Sequence, residues 1–257
     1  MRRRRGGGDA GDDRFGGGDA ASSLALLQQT DRVFVRQHVE HFEALTGWEG
    51  ENSYDIVSAD GTLMFRAQEH SNVCCRQMCK SQRSFTMTLT SAVTGAPFIR
   101  LERPISCCWS SIEVYNAGGA RGEASHLLGK VQRTFALFSR CFSVVDPTGA
   151  VLFTITSPMF EPWTFYLCDA RGDGARIGRI SKEWSGLAQE LFTDADNFGI
   201  EWPLYVTMPE KALLLGAVFL IDFQFFEDND MNSQSRRRGG GRGRRGGGGG
   251  GIGFGMF

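Results

Sequence analysis

A chain of 257 residues is long enough for one large domain or two small ones. Hydrophobic residues make up 41% and charged residues 22%, the balance of an ordinary soluble globular protein, which excludes disorder throughout. Of the 34 glycines, seven fall in residues 1–23 and twelve in residues 231–257, so glycine usage between them is ordinary. The formal net charge of −1 hides a similar division: five Arg and four Asp at the start, six Arg and no acid at the end, and 17 basic against 25 acidic residues in the middle. An acidic centre argues against a core built around nucleic-acid phosphates, although the basic tail could still bind them.

The opening MRRRRGGGDAGDDRFGGGDA has arginines where a signal peptide has its basic region, but no apolar stretch follows, so export through a cleaved signal is not expected. Arg2 in place of glycine excludes N-myristoylation. Segments this rich in glycine and charge bury too little apolar surface to order themselves. The composition therefore predicts a disordered leader over 1–23, a folded domain over 24–230 and a disordered Arg/Gly-rich tail over 231–257. Arginine spaced by glycine suits contact with RNA, DNA or anionic lipid headgroups, and serves equally as a solubilising tail.

Between residues 30 and 205 the chain reads as short strands joined by turn chemistry. Residues 54–58 and 63–66 flank Ala59-Asp60-Gly61, and residues 85–89 and 98–101 flank Thr94-Gly95. Further on, 142–145 and 151–156 flank Asp146-Pro147-Thr148-Gly149, and 165–168 and 177–180 flank Arg171-Gly172-Asp173-Gly174. Each is a β-hairpin signal. SYDIVSADGTLMFRA matches FSVVDPTGAVLFTI in layout, and SFTMTLTSAVTGAPFIRL matches TFYLCDARGDGARIGRI, which points to an internally duplicated meander. Strands at 33–35, 112–115, 127–131 and 198–205 bring the total to about twelve. That many antiparallel strands hide their edges best by closing, so the predicted fold is mainly β, an antiparallel closed barrel.

PEKALLLGAVFLIDFQFFED follows. Ala212, Leu213, Leu214, Leu215, Val218, Phe219, Leu220 and Ile221 lie in an unbroken apolar-or-glycine run, extended past Asp222 by Phe223, Phe225 and Phe226. A bilayer-spanning helix needs about 20 mostly apolar residues. Here there are about 15, interrupted by a carboxylate, whose insertion costs a few kcal/mol at mid-membrane. A helix apolar on all sides is equally at home in a protein core. A helix over about 211–226, buried in the barrel, is expected in preference to one that spans.

The seven cysteines, Cys74, Cys75, Cys79, Cys107, Cys108, Cys141 and Cys168, are odd in number and include two adjacent pairs, which points to free thiols in a reducing compartment. Cys74, Cys75 and Cys79 have no matching CxxC pair, and His70 four residues before Cys74 gives only a weak zinc signal. Cys107 and Cys108, followed by Trp109, are an address for S-acylation near a membrane, or simply small buried hydrophobes. No GxSxG, P-loop or HExxH pattern occurs, so neither a conventional enzyme nor a small-molecule cofactor is expected.

FTDADNFGIEWPL followed by KALLLGAVFLIDFQFFE closely resembles the C-terminal signature of the phospholipid scramblases. QHVEHFEALTGWEGENSYDI, FIRLERPISC and GRISKEWSGL agree in order, and the resemblance covers about residues 27–228. It implies a tubby-like fold, a twelve-stranded barrel around a hydrophobic C-terminal helix. It also implies calcium-activated, ATP-independent movement of phospholipids between leaflets by a protein at the cytoplasmic face of the plasma membrane, with nuclear import and DNA binding in some members.

The same resemblance places a Ca2+ segment at 194–205, where Asp194, Asp196, Asn197 and Glu201 could supply hard oxygen ligands. As an EF-hand loop the segment is poor, with Phe198 at the fifth position and Tyr205 at the last; it reads equally as a helix-to-strand turn capped by Asp194. Thioester-linked palmitate falls on Cys107 and Cys108, two cysteines where relatives often cluster five or six; one acyl chain anchors marginally and two anchor well. GRISKEWSGL resembles a nuclear-import stretch but has Glu183 where His is usual, leaving Arg179 and Lys182 as ordinary solvated cations in the alternative. A Pro-rich N-terminal arm is missing, and with it any case for SH3 or WW partners. The expected partners are therefore phospholipid membranes and anionic lipids, with a non-translocating lipid-binding or nucleic-acid-linked adaptor as the competing reading.

Overall fold

The computed structural model describes residues 18–38, 52–71, 84–105, 110–117, 126–182 and 197–225. Helix α1 (Gly18–Gln29) precedes strands β1 (Arg32–His38), β2 (Ser53–Ser58), β3 (Leu63–His70), β4 (Phe85–Ser91), β5 (Pro97–Arg103) and β6 (Ser111–Asn116). Strands β7 (His126–Thr134), β8 (Ser139–Val145), β9 (Val151–Pro158), β10 (Thr164–Asp169), β11 (Arg176–Ser181) and β12 (Asn197–Glu201) follow, and helix α2 (Met208–Phe225) comes last. Every strand pairs antiparallel with its neighbours in sequence, and β12 returns to pair with β1. The result is a closed twelve-stranded barrel with no free edge.

The strands read as strands because their burial alternates. Phe85, Met87 and Leu89 of β4 are buried while Thr86, Thr88 and Thr90 are half-buried, and β9 alternates Phe153 and Ile155 with Thr154 and Thr156. The duplication is visible in the backbone. In β2–β3 the register slips beside the turn at Ile56/Val57, and in β8–β9 at Val144/Val145, six strands on. The other pair matches likewise, with slips at Leu89/Thr90 in β4–β5 and at Leu167/Cys168 in β10–β11. Each of these turns carries one glycine at positive φ: Gly61 (86°), Gly95 (70°), Gly149 (90°) and Gly174 (74°). A turn followed by a left-handed glycine and a bulge is a standard hairpin closure that matches the strands' twist.

This topology gives the barrel two unlike ends. The four glycine turns, the start of β1 and the start of α2 lie at one, the turn end. The connections β3–β4, β5–β6, β7–β8, β9–β10 and β11–β12 all lie at the other, the loop end, where α2 finishes.

Three boundaries differ from the sequence reading. The strand expected over 198–205 stops at Glu201: Pro203 offers no N–H to a ladder, and Val206 N donates to Pro203 O (3.1 Å) in a turn. The final helix begins at Met208 rather than about 211. Thr207 caps it, since Lys211 N donates to Thr207 O (2.9 Å) while Glu210 Oε2 accepts from Thr207 N (2.8 Å). TMPE thus has the capping-box sequence, with the glutamate making the half of the box that reaches back to the cap residue. At the other end of the domain, α1 starts at Gly18, inside the span that composition assigns to the leader, and its Leu27 is fully buried.

α1 and α2 meet through one cation. Lys211, fully buried, donates from Nζ to Leu27 O (3.1 Å), Gln28 O (2.8 Å) and Thr30 O (2.8 Å). These are carbonyls at the C-terminal end of α1, where the helix dipole favours positive charge. Trp202 Nε1 donates to the same Thr30 carbonyl (2.9 Å), and its ring lies 5.6 Å from the ammonium. Burial pushes the lysine's pKa down to about 8, so it remains mainly charged at neutral pH. Replacing Lys211 by Met keeps the apolar stem but strands buried carbonyls. The expected loss is about 2–4 kcal/mol of unfolding free energy in urea titration, whereas Lys211→Arg, too large for the site but still a donor, should lose less.

Candidate functional site

The helix singled out in sequence is the most buried element of the molecule. Every residue from Glu210 to Phe223 is buried, including Ala212, Leu213, Leu214, Leu215, Val218, Phe219, Leu220 and Ile221. Its side chains touch strands all round the ring. Phe219 meets Tyr54 of β2 edge-on (5.1 Å), Phe223 meets Phe85 of β4 (4.3 Å), and Phe225 meets Phe142 of β8 (6.1 Å) and Phe165 of β10 (5.9 Å). On the β6 side the helix backbone comes so close that a Cβ at Gly216 would stand 2.8 Å from Val114 Cγ2.

The ionisable residues in this helix all have partners, whereas Gln224 Oε1 is buried and accepts no hydrogen bond. Asp222, the carboxylate that interrupts the apolar run, accepts from Tyr54 Oη (3.3 Å). Glu210 pairs with Arg171 from the β10–β11 turn, whose guanidinium also lies 5.0 Å from the Phe153 ring. The acceptors Asp169 and Glu210 push the arginine's pKa up. Among the described residues no helix is long and apolar enough to cross a membrane.

The four carboxylate and amide positions expected to hold Ca2+ do not form one described site. Asp194 and Asp196 lie outside the described residues. Asn197 opens β12 at the loop end, buried, with an Oδ1 that accepts no hydrogen bond. That atom is a hard oxygen suited to a cation. Glu201 closes the same strand four residues on, ~13 Å away at strand rise. It is paired with Arg32 (2.8 Å) and Arg179 (3.3 Å). Asn197 thus keeps one oxygen available to a cation at the loop end, whereas Glu201 stands at the other end of the strand and is held by two arginines. Among the described residues no three His, Cys, Asp or Glu side chains gather as a metal site.

Cys107 and Cys108 also lie outside the described residues, as do Cys74, Cys75 and Cys79. The residues flanking the first pair are placed: Arg103 Nη2 donates to Ser110 Oγ (3.0 Å), so the β5–β6 connection leaves and returns at the loop end. Cys141 and Cys168 are free and half-buried. Of the two cations in the import-like stretch, Arg179 is ion-paired as above, and Lys182 Nζ lies 4.6 Å from the Phe198 ring.

The loop end holds one further feature that none of the sequence motifs includes. Phe225, the last described residue of α2, is covered by two guanidinium groups, Arg140 at 4.5 Å and Arg133 at 5.5 Å. Burial, followed by the like charge of Arg133, pushes the pKa of Arg140 down. The signal available was the apolar FALF and MFEPW strings, which stand where turns between strands should be polar.

Comparison with known proteins points to one family. The family model described as Scramblase matches residues 18–228. The chain is 33% identical to human phospholipid scramblase 1 over 228 residues, covering 82% of this chain and 68% of the relative. It is 34% identical to bovine phospholipid scramblase 2 over 79% of this chain and 71% of the relative, and 31% identical to human phospholipid scramblase family member 5 over 79% and 77%. No solved structure matches.

The tight contact at Gly216 makes a testable demand. Gly216→Leu should overpack the β6 side and cost about 1–3 kcal/mol in denaturant unfolding. In Gly216→Ala the clash with Val114 is offset by a helix-propensity gain of about 1 kcal/mol, so that variant should stay close to the parent.

Proposed function

Because the chain belongs to the scramblase family, we propose that it is a membrane-associated protein that moves phospholipids between leaflets in both directions, without ATP and in response to calcium. The observation that carries this reading is the family match over residues 18–228, which contains the whole barrel and α2.

The energetics of α2 direct the mechanism to the barrel's surface. At 18 residues the helix is ~27 Å long, close to the hydrocarbon thickness. It falls a few ångströms short of that thickness, and its charged residues weigh more than the shortfall. Moving it into lipid would carry Glu210, Lys211 and Asp222 with it, at about 2.5–3.5 kcal/mol for a charged residue such as Asp or Lys at mid-membrane. It would also hollow the barrel around eight large apolar side chains, from Leu213 to Phe223, at about 2–5 kcal/mol for each such deletion. The sum exceeds the whole stability of an ordinary domain, about 5–15 kcal/mol. Headgroups would instead pass along the outside of a barrel seated on the membrane, with α2 holding the barrel rigid.

Calcium dependence would rest on Asp194, Asp196 and the Asn197 carbonyl, with the cation neutralising charge beside β12 at the loop end. Acyl groups on Cys107 and Cys108 would anchor the same end, since the flanks Arg103 and Ser110 lie there. A second reading draws on the tail, whose six arginines and lack of acid suit RNA or DNA, and makes the protein a nucleic-acid-linked adaptor, with a nuclear location. Plasma membrane at its cytoplasmic face is the location that fits the first.

The deciding measurement is transbilayer movement of a fluorescent phospholipid in proteoliposomes, read as loss of dithionite protection with and without calcium. The expected result is calcium-dependent loss above empty liposomes, abolished by Asp194→Ala/Asp196→Ala and retained by Glu201→Gln. Protein that is folded and vesicle-bound but leaves protection unchanged would sink the transport reading. Deleting 236–257 should remove RNA binding without changing the lipid result if the tail alone serves nucleic acid.

A further inference from the structure

Two neighbouring connections at the loop end present apolar side chains to solvent. Phe135, Leu137 and Phe138 of the β7–β8 connection are exposed, Phe138 to 78%. Met159, Phe160 and Trp163 of the β9–β10 connection stand out beside them, with Phe160 95% exposed. β8 and β9 are paired between the two loops, and Ser139 faces Pro158 at their ends, so the six side chains share one tip of the barrel. Scattered exposed apolar residues are normal on a protein surface; a contiguous group of this size marks an interaction site.

The second loop is held in this form by its polar atoms. Ser157 Oγ donates to Glu161 O (3.0 Å), Arg140 Nη1 to Pro162 O (3.0 Å), and both Ser181 Oγ and Lys182 N to Trp163 O (3.1 Å each). Glu161 N closes the turn on Pro158 O (3.1 Å), and the Glu161 carboxylate accepts from Tyr166 Oη (2.6 Å). Its backbone carbonyls and its one carboxylate are bonded back to the barrel, while Met159 and Phe160 are held away from it. An anchored loop loses little conformational freedom on docking, which favours binding.

We propose that the 135–138 and 159–163 loops are the part of this protein that enters a lipid bilayer, with the apolar tips among the acyl chains of an anionic leaflet. This rests on the scramblase reading only in supposing that a membrane is the partner. Three observations favour a bilayer over another protein. The apolar side chains sit on projecting hairpin tips, a convex shape that suits a fluid surface. Arg140 and Arg133 lie directly beneath them on Phe225, at the level headgroup phosphates would occupy. The chain then leaves α2 at this end, and residues 231–257 carry six arginines and no acid, complementary to anionic lipid.

The test is flotation of the full-length protein with vesicles of phosphatidylcholine mixed with phosphatidylserine. Phe138→Ser/Phe160→Ser changes only highly exposed positions, and a thermal melt checks that the barrel is intact. It should lower vesicle binding by on the order of tenfold or more, since each aromatic side chain contributes more than a tenfold step when buried in hydrocarbon. Leu204→Ser/Tyr205→Ser removes exposed apolar groups at the turn end and should bind like the parent. Equal binding by the parent and both variants overturns the docking surface, as does an equal loss in both. A parent that ignores vesicles but is a dimer by light scattering, made monomeric by Phe138→Ser/Phe160→Ser, shows a contact between copies and overturns it too. The dithionite assay on the same reconstituted proteins separates the two readings. Binding lost at the loop tips, in a parent that does not move lipid, keeps the docking surface and ends the transport reading.

Discussion

Closing twelve strands into a ring leaves an interior wider than side chains alone can fill, and everything else in this fold answers to that constraint. Barrels of about eight strands fill themselves from their own walls; larger ones enclose a lumen unless something occupies it. Here α2 occupies it. Its burial on every side explains its composition, because a helix with strands all round has no face to give to water. The three ionisable residues it carries are placed where partners exist: Glu210 with Arg171 and Lys211 with α1 near the turn end, and Asp222 with Tyr54 toward the loop end. α1 belongs to the same arrangement. It has a weakly amphipathic sequence, yet it is fixed because its terminal carbonyls satisfy a lysine that the plug must bury.

The direction of the meander then assigns different work to the two ends. Tight glycine turns make the turn end compact, and α1 packs there against the segment leading into α2: Gln28 Nε2 donates to Leu204 O and Val206 O (3.3 Å each). The loop end receives six of the connections between strands and the exit of α2, while β6–β7 joins at the turn end with the four glycine turns. Residues with chemical potential, the flanks of Cys107–Cys108, the buried Asn197 oxygen, the arginines on Phe225 and the aromatic tips, fall there together although they are scattered from 103 to 225 in sequence. Their convergence is a consequence of an even-numbered meander, which returns every second connection to the same rim.

Much of this was legible beforehand. Alternation of period two, with Asp-Gly or Thr-Gly punctuation, located all twelve strands, because burial of one strand face and the sterics of a tight turn are both local. The run from 212 to 221 announced a buried helix for the same reason. Boundaries were less legible: Pro203 ended β12 four residues before the expected limit, and the TMPE capping box started α2 about three residues early. Both signals were present as residues, but apolar side chains at Leu204 and Tyr205 imitate a continuing strand.

What the sequence by itself determined is the kind of each element, the duplication and the family, since these depend on neighbours along the chain or on strings of residues. What only the tertiary structure decided is which residues share a place. Asn197 and Glu201 stand four positions apart and read as one ligand set, yet an extended strand carries them to opposite rims, where Glu201 is taken by Arg32 and Arg179. Lys211 stands in sequence at the edge of an apolar run, and is the buried joint between two helices because α1, 181 to 184 residues earlier, ends within hydrogen-bonding distance of it. Distances of that kind are set by barrel closure, a condition on all twelve strands at once that no local stretch of sequence expresses.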